Sequence, residues 1–104
     1  MCVVGPFNSS VALAEIPKAS QNHLALISPS NTNPCLTKDL ATCSYHPQDL
    51  RKKANNYFRV VATDDLQGPA MADYAYNTLG IKKIGVLDEK TVFGIGIANT
   101  FEAQ

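Results

Sequence analysis

The sequence predicts an α/β fold with a mostly parallel sheet and flanking helices. Short apolar runs that read as strands alternate with segments of helical pattern, and this order is typical of parallel sheets with crossover helices. The first apolar runs are continuous rather than alternating, as expected for strands covered on both faces. At 104 residues the chain is long enough for one small domain with a single core.

The first half of the chain contains two predicted strands around one helix. Residues 2–6 form the first strand, and Asn8 with the two serines after it supplies an N-cap for the helix. Pro17 lacks an N–H and crowds the preceding turn, so we expect the helix to kink or break there. The second strand spans 24–28. Residues 29–56 lack clear periodicity, and so long a segment is expected to be functional, flexible or held together internally.

The second half begins with a third predicted strand at 57–61. The helix that follows starts near Asp64 and Asp65, carries Pro69 in its first turn and ends at Gly80, which suits a left-handed cap. Helical spacing places four side chains on one face of this helix: Met71, Tyr74, Ala75 and Leu79.

A fourth strand is predicted at 84–87, and a last helical segment at 92–103. This segment is expected to be helical in its second half, because Gly94 and Gly96 weaken its start.

Composition and motifs exclude several classes of function. Nine basic and nine acidic residues balance, so no nucleic-acid partner is expected. His23 and His46 have no nucleophile motif near them, and Asp64 and Asp65 are explained by helix capping. We expect no enzyme, no metal site and no cofactor. The first residues carry no basic or strongly apolar leader segment, so no signal peptide is predicted.

Small polar residues follow the first two strands, where open α/β sheets place their ligands. Ser9 and Ser10 open a helix whose free first-turn N–H groups suit a carboxylate, although capping explains these serines equally well. Ser30, Asn31 and Thr32 would bring a carbonyl, a backbone N–H and a hydroxyl to the same edge.

These strand ends carry a resemblance to a known family. The runs VVGPFNSS and LALISPSNTNP, followed by FRV, DDLQGP and IGVLD, together resemble the type I periplasmic binding proteins, and more narrowly the branched-chain amino-acid receptors of ABC transporters. The resemblance covers nearly the whole chain but only about a third of such a receptor. It implies that residues 1–63 come from the first lobe, and 64–104 from the crossover helix and the start of the second lobe.

The resemblance also implies roles for individual residues. Ser9 and Thr32 would hold the α-carboxylate of an amino acid, while the Ser30 carbonyl and the Thr32 hydroxyl would face the α-ammonium. Phe93 matches an aromatic position that lines the cleft from the second lobe, although a core aromatic is the alternative interpretation.

The resemblance implies that the chain is a truncated substrate-binding component of an amino-acid importer, located in the periplasm or outside the cell. The complete parent protein would dock on an ABC permease. Half of a two-lobed clamp would bind a branched-chain or related amino acid weakly. The alternative is a self-associating structural fragment without a small-molecule ligand. In either case we expect a homodimer, because sheet edges would be exposed.

The resemblance places the parent in an oxidising compartment, where Cys35 and Cys43 are expected to form a disulfide rather than a metal site. Two free thiols are the alternative. Cys2 lies on the first strand, as either a small buried apolar residue or the site of an intermolecular bridge.

Overall fold

The computed structural model describes residues 1–52 and 55–104 and contains a three-stranded, fully parallel sheet. The strands are β1 (Cys2–Val4), β2 (Ala25–Ser28) and β3 (Tyr57–Arg59), in the spatial order β1-β2-β3. The α/β prediction is therefore confirmed. The first and third strands end two residues earlier than the sequence pattern predicts.

Helices connect the strands and complete the chain. They are α1 (Ser9–Gln21), α2 (Pro47–Leu50), α3 (Asp64–Asp73) and α4 (Val92–Glu102), with a 3₁₀ turn at Pro34–Leu36 and a π-helical turn at Tyr74–Thr78. In the part of the chain that the structure describes, no helix is long and apolar enough to cross a membrane.

The core lies on one face of the sheet. Leu26 and Tyr57, which are neighbours across β2 and β3, are buried there. The rest of this core comes from α1 and from the segment before β3, and consists of Ala12, Ile16, Ala19, Leu36 and Leu50. On the opposite face, the adjacent residues Val4, Ile27 and Phe58 are exposed. The sheet is thus covered on one side only.

Helix α1 is continuous, so of the kink or break predicted at Pro17 the break is wrong. Asn8 caps the helix by accepting a 2.8 Å hydrogen bond from the Ser10 N–H. Pro17 removes one backbone bond, but the buried Ile16 and Ala19 anchor the helix on either side of it. Burial of this face outweighs the local cost of the proline.

Helix α3 begins at Asp64, and its first turn carries two acidic residues that favour a helix N-terminus. Pro69 is consequently the sixth helical residue, and its predicted place in the first turn is wrong. Gly80 has a φ of +68°, which confirms the left-handed cap. Of the four side chains predicted to share one face, Ala75 is buried, while Met71, Tyr74 and Leu79 are exposed.

The predicted fourth strand at 84–87 is wrong: these residues have no strand partner within the described ranges. The prediction for the last helix also needs correction, because α4 is helical from Val92 onwards. The Thr91 hydroxyl caps it by accepting a 3.1 Å hydrogen bond from the Gly94 N–H, which compensates for the glycines in the first turns.

A disulfide joins Cys35 to Cys43, as predicted. The long segment that contains it also includes the 3₁₀ turn and α2, while residues 53–54 of that segment lie outside the described residues. Cys2 has a free and exposed thiol, so its interpretation as a buried apolar residue is wrong.

Candidate functional site

The two polar segments of the sequence meet at the carboxyl edge of the sheet. The carbonyl oxygen of Phe7 accepts hydrogen bonds from Ser30 Oγ at 2.6 Å and from Asn31 Nδ2 at 2.7 Å. These bonds hold the start of α1, with Ser9 and Ser10, beside the loop that contains Thr32. The structure therefore brings the predicted residues of these two segments together at one edge of the sheet.

Ser28 hydrogen-bonds to both of these segments, and it was not identified from the sequence. Its buried hydroxyl donates to the Pro6 carbonyl at 2.9 Å and accepts hydrogen bonds from the N–H groups of Ser30 and Asn31. A short polar side chain at the last position of a strand is the signal that could have identified it, because it can bond to turns on both sides.

Asn31 belongs to the scaffold of the site. The residue is fully buried, and its Oδ1 accepts a 2.8 Å hydrogen bond from the Tyr57 hydroxyl while its Nδ2 donates to Phe7. The Ser30 hydroxyl also donates to the Phe7 carbonyl. These two side chains position the loop.

Arg59 at the end of β3 organises the same loop. Its guanidinium donates to the carbonyl oxygens of Asn31 at 3.0 Å and Asn33 at 2.7 Å, and to the Thr37 hydroxyl. A planar group with five donors can bind several carbonyls of one turn at once. Arg59 was not identified from the sequence, because its partners are 22 or more residues away.

Thr32 and Asp64 are the polar residues of the site whose side chains are left unbonded. Asp64 is fully buried, and its N–H donates to the Thr32 carbonyl at 3.0 Å. Within the described residues, neither carboxyl oxygen of Asp64 nor the buried hydroxyl oxygen of Thr32 has a hydrogen-bond partner. Such groups are costly unless a partner satisfies them.

The electrostatics of the two neighbouring acids differ. Burial raises the pKa of Asp64, although the nearby Thr32 hydroxyl and the Arg59 guanidinium act in the opposite direction. Burial also acts to raise the pKa of Asp65, but hydrogen bonds with Lys38 and Thr63 outweigh it and hold that pKa below its usual value. Lys38 Nζ lies 2.7 Å from Asp65 Oδ2. Asp65 is therefore paired with Lys38, whereas the carboxylate of Asp64 has no ion-pair partner within the described residues.

Helix α4 lies against the site. The Val92 N–H donates to Ser10 Oγ at 3.3 Å, and Asn33 Nδ2 donates to the Val92 carbonyl at 2.9 Å. A Cβ atom at Gly96 would lie 2.9 Å from Asn33 Nδ2 and 3.6 Å from Asp64 Oδ2. A side chain at this position would therefore force the Asn33 amide to shift.

The structure does not group Phe93 with the serines and Thr32. Its half-exposed ring lines a separate groove of about 420 Å³ between α3, α4 and the extended segment after Gly80. The other apolar residues of that groove include Met71, Val86, Ile97 and Phe101.

Comparison with known proteins places this site in context. No family model matches the chain. An amino acid binding protein of Pseudomonas aeruginosa is 30% identical over all 104 residues, which are 24% of that protein. Leu/Ile/Val-binding protein homolog 3 of Brucella melitensis is 30% identical over 101 residues, which are 97% of this chain and 24% of the relative.

Solved structures of binding proteins also match the chain. The leucine binding protein LivK of Thermotoga maritima superposes with a TM-score of 0.75 at 28% identity, over 98% of this chain and 25% of that protein. Over nearly its whole length the chain is therefore similar to proteins named for binding leucine, isoleucine and valine.

An ABC transporter substrate-binding protein of Desulfitobacterium hafniense, solved in complex with Leu, matches the fold of this chain at 23% identity and a TM-score of 0.68. The chain spans about a quarter of the length of these relatives, somewhat less than the third that the sequence suggests. Its sheet and helices are the matching part of a type I periplasmic binding protein fold. The relatives are named as binding proteins.

Proposed function

We propose that this chain forms one wall of an amino-acid-binding cleft and recognises the groups common to all α-amino acids. The observation that carries the proposal is the pair formed by Thr32 and Asp64, whose buried side-chain oxygens have no hydrogen-bond partner within the described residues. Relatives named for binding leucine, isoleucine and valine support an amino acid as the ligand class.

The α-carboxylate binds at the start of α1. Ser9 and Ser10 lie in the first turn, where free N–H groups and the helix dipole favour an anion. The Phe7 carbonyl is already occupied by Ser30 and Asn31, so this end of the site presents donors rather than free acceptors. The Thr32 hydroxyl completes the carboxylate site from the neighbouring loop.

The α-ammonium binds between Thr32 and Asp64. An ammonium group carries three donors and no acceptor, and it would satisfy the oxygens that are buried without partners here. A charged donor also offsets the cost of burying the Asp64 carboxylate. The Ser30 carbonyl supplies a further acceptor in this proposal.

The location and partners of the complete protein are proposed from the similarity to these relatives. The complete protein would be the substrate-binding component of an amino-acid importer, placed in the periplasm or outside the cell and docked on an ABC permease. Residues 1–63 would belong to its first lobe and 64–104 to the crossover and the second lobe. With one wall of the cleft alone, binding would be weak, because the ligand remains partly solvated.

Calorimetric titration with L-leucine tests the proposal. Wild type should give saturable heat, and Thr32→Ala should weaken binding about tenfold or more, since it loses a hydrogen bond of roughly 1.5–3 kcal/mol to a charged group. Thr42→Ala, at an exposed position of the disulfide loop, is the matched control and should bind like wild type. Equal binding by Thr32→Ala would show that the site lies elsewhere.

A structural fragment that self-associates without a ligand is the second candidate. The exposed apolar face formed by Val4, Ile27 and Phe58 favours it, because parallel sheets are normally covered on both sides. Formation of a homodimer is part of this second candidate function. Absence of heat with leucine, valine and polar amino acids, together with a mass above that of one chain, would favour this candidate.

A further inference from the structure

Thr32 and Asp64, the two residues on which the proposed site rests, each lie between two neighbours that a single cation binds. For Thr32 the cation is Arg59, which donates to the carbonyl oxygens of Asn31 at 3.0 Å and Asn33 at 2.7 Å. These are the residues directly before and after Thr32. The turn that carries the Thr32 hydroxyl is thus held on both sides by one side chain.

Lys38 has the corresponding place beside Asp64. Its Nζ donates to the Thr63 hydroxyl at 2.9 Å and to Asp65 Oδ2 at 2.7 Å. Thr63 and Asp65 directly precede and follow Asp64. An ammonium group has three donors and no acceptor, so one lysine can hold two oxygen atoms at once. The start of α3 is therefore tied to the loop on both sides of Asp64.

We propose that Lys38 is a positioning residue of the amino-acid site, which fixes Asp64 by binding its two neighbours and leaves its carboxylate free for the ligand. This role rests on the proposed function, in which Asp64 accepts the ligand ammonium. Lys38 would not touch the ligand. It raises affinity by holding Asp64 in place before the ligand arrives, which lowers the ordering cost of association.

The stability of α3 does not explain this arrangement. Thr63 is the N-cap residue of the helix, and a threonine hydroxyl at this position normally accepts a hydrogen bond from the first turn. Here the side chain makes no such bond, and its oxygen accepts from Lys38 instead. The helix dipole also disfavours a cation at a helix N-terminus. Lys38 thus replaces the usual cap contact while it fixes the residues around Asp64.

Lys38 is itself held by the loop that follows Thr32. Its N–H donates to the Pro34 carbonyl at 2.8 Å. Arg59 donates to the same carbonyl at 3.4 Å and to the Thr37 hydroxyl. The two cations are therefore connected through one backbone turn, and this turn links the surroundings of Thr32 to those of Asp64.

The loss of Lys38 should have a local effect. The side chains of Lys38 and Asp65 are 41% and 27% exposed, and ion pairs at such exposure add little to the stability of the whole fold. In Lys38→Met the Thr63 hydroxyl also becomes free to cap α3. The contact between α3 and the loop should therefore loosen while the core stays intact.

Amide hydrogen exchange tests the proposal without a ligand. The reporter is the Asp64 N–H, which donates to the Thr32 carbonyl at 3.0 Å. The reference is the Leu26 N–H, which donates to the Asn56 carbonyl at 2.7 Å. In Lys38→Met we expect exchange at Asp64 to be about tenfold faster than in wild type, with exchange at Leu26 unchanged. Unchanged exchange at Asp64, or equal acceleration at both amides, would overturn the proposal.

Calorimetric titration with L-leucine measures the effect on binding. Lys38→Met should bind leucine about tenfold more weakly than wild type. Lys38→Arg, whose guanidinium can donate to the same two oxygen atoms, should restore the affinity to within about threefold. Lys83→Met removes the same charge at an exposed position and is the matched control, which should bind like wild type. Binding by Lys38→Met that equals wild type, or equal weakening in Lys83→Met, would contradict the positioning role.

The two measurements distinguish a failure of this role from a failure of the proposed function. Absence of leucine binding by wild type would contradict the proposed function alone, since hydrogen exchange at Asp64 still decides whether Lys38 fixes it. Leucine binding by wild type together with unchanged exchange at Asp64 in Lys38→Met would overturn the positioning role and leave the proposed site in place.

Discussion

The N–H of Asp64 donates a 3.0 Å hydrogen bond to the carbonyl oxygen of Thr32. This bond joins the start of α3 to the loop after β2 and brings two buried, unbonded side chains to one place. The backbone is thus satisfied while the side chains are not. That division is expected of a site in which a ligand, rather than the fold, supplies the remaining partners.

Asp64→Asn should leave the free protein at least as stable as wild type at pH 7. Burial raises the pKa of Asp64, so the folded state binds its proton more tightly than the unfolded state. Stability is therefore lost as pH rises from the unfolded pKa of about 3.9 through the raised folded value. The neutral amide of asparagine does not titrate, so the variant does not lose stability in this way. Urea denaturation at pH 4 and pH 7 measures the difference in unfolding free energy between the variant and wild type.

Asp65→Asn is the control for that prediction, with the opposite sign. The pKa of Asp65 is lowered despite its burial, through Lys38 and Thr63, so its contribution is present above the unfolded pKa and lost as pH falls. Asp65→Asn should destabilise the protein at pH 7. A large loss of stability for Asp64→Asn at pH 7 would instead show that its carboxylate is needed for folding.

Tyr57→Phe should destabilise the protein by about 1–3 kcal/mol. The substitution removes the buried 2.8 Å hydrogen bond to Asn31 and leaves Asn31 Oδ1 without a partner. Chemical denaturation measures the change, and Tyr74→Phe, at an exposed position, is the control that should have little effect. A loss no larger than the control's would mean that this bond does not position the loop.

The sequence predicts the part of the site that is built from strand ends. Ser9, Ser10 and Thr32 directly follow apolar runs, and parallel strands bring their carboxyl ends to one edge. Asp64 escaped notice because an acid at a helix start is normally explained by capping. Ser28 has a local signal, because it is a short polar residue that ends a strand and bonds to the N–H groups of Ser30 and Asn31. Arg59 instead acts through bonds to residues distant in sequence, and a single sequence carries no record of such pairings.

The errors in the predicted fold have a common cause. Residues 84–87 and the face with Met71 and Leu79 have the apolar patterns of buried elements, but nothing in the described chain covers them. The apolar pattern of a segment indicates that it can be buried, whereas its structure depends on whether a packing partner is present. Pro17 shows the reverse case, in which packing of α1 overrides a local signal.

The Cys35–Cys43 bridge should stabilise the protein by about 2.5 kcal/mol, because it closes a loop of roughly nine residues in the unfolded chain. The Cys35→Ser, Cys43→Ser double variant should unfold at correspondingly lower urea concentration, whereas Cys2→Ser should not. Alkylation of fresh, non-reduced protein with mass detection provides a direct check. Labelling of all three cysteines would contradict the bridge.

The exposed pair formed by His46 and Asp39 should be visible in a pH titration. Their 2.6 Å contact raises the pKa of His46 above 6.5 and lowers that of Asp39 below 3.8. The histidine contribution is full below pH 6.5 and is lost as pH rises through the raised value. The aspartate contribution is present above pH 3.8 and is lost as pH falls. The pair therefore stabilises most between these limits.

Histidine NMR titration measures this effect. Asp39→Asn should lower the pKa of His46 towards its ordinary value, while Asp49→Asn, which removes a weaker and more distant charge, should lower it less. An unchanged pKa in Asp39→Asn would show that the pair does not form in solution.

The central claim is that the edge formed by Ser9, Thr32 and Asp64 recognises the main-chain groups of an amino acid. Amide NMR titration of the wild-type chain with L-leucine tests it most directly. We predict saturable shifts centred on residues 9–11, 30–33 and 64–65, and no such shifts with isocaproic acid or isoamylamine, which lack the ammonium and the carboxylate respectively. Shifts confined to the groove around Phe93, or equal responses to all three compounds, would contradict the account.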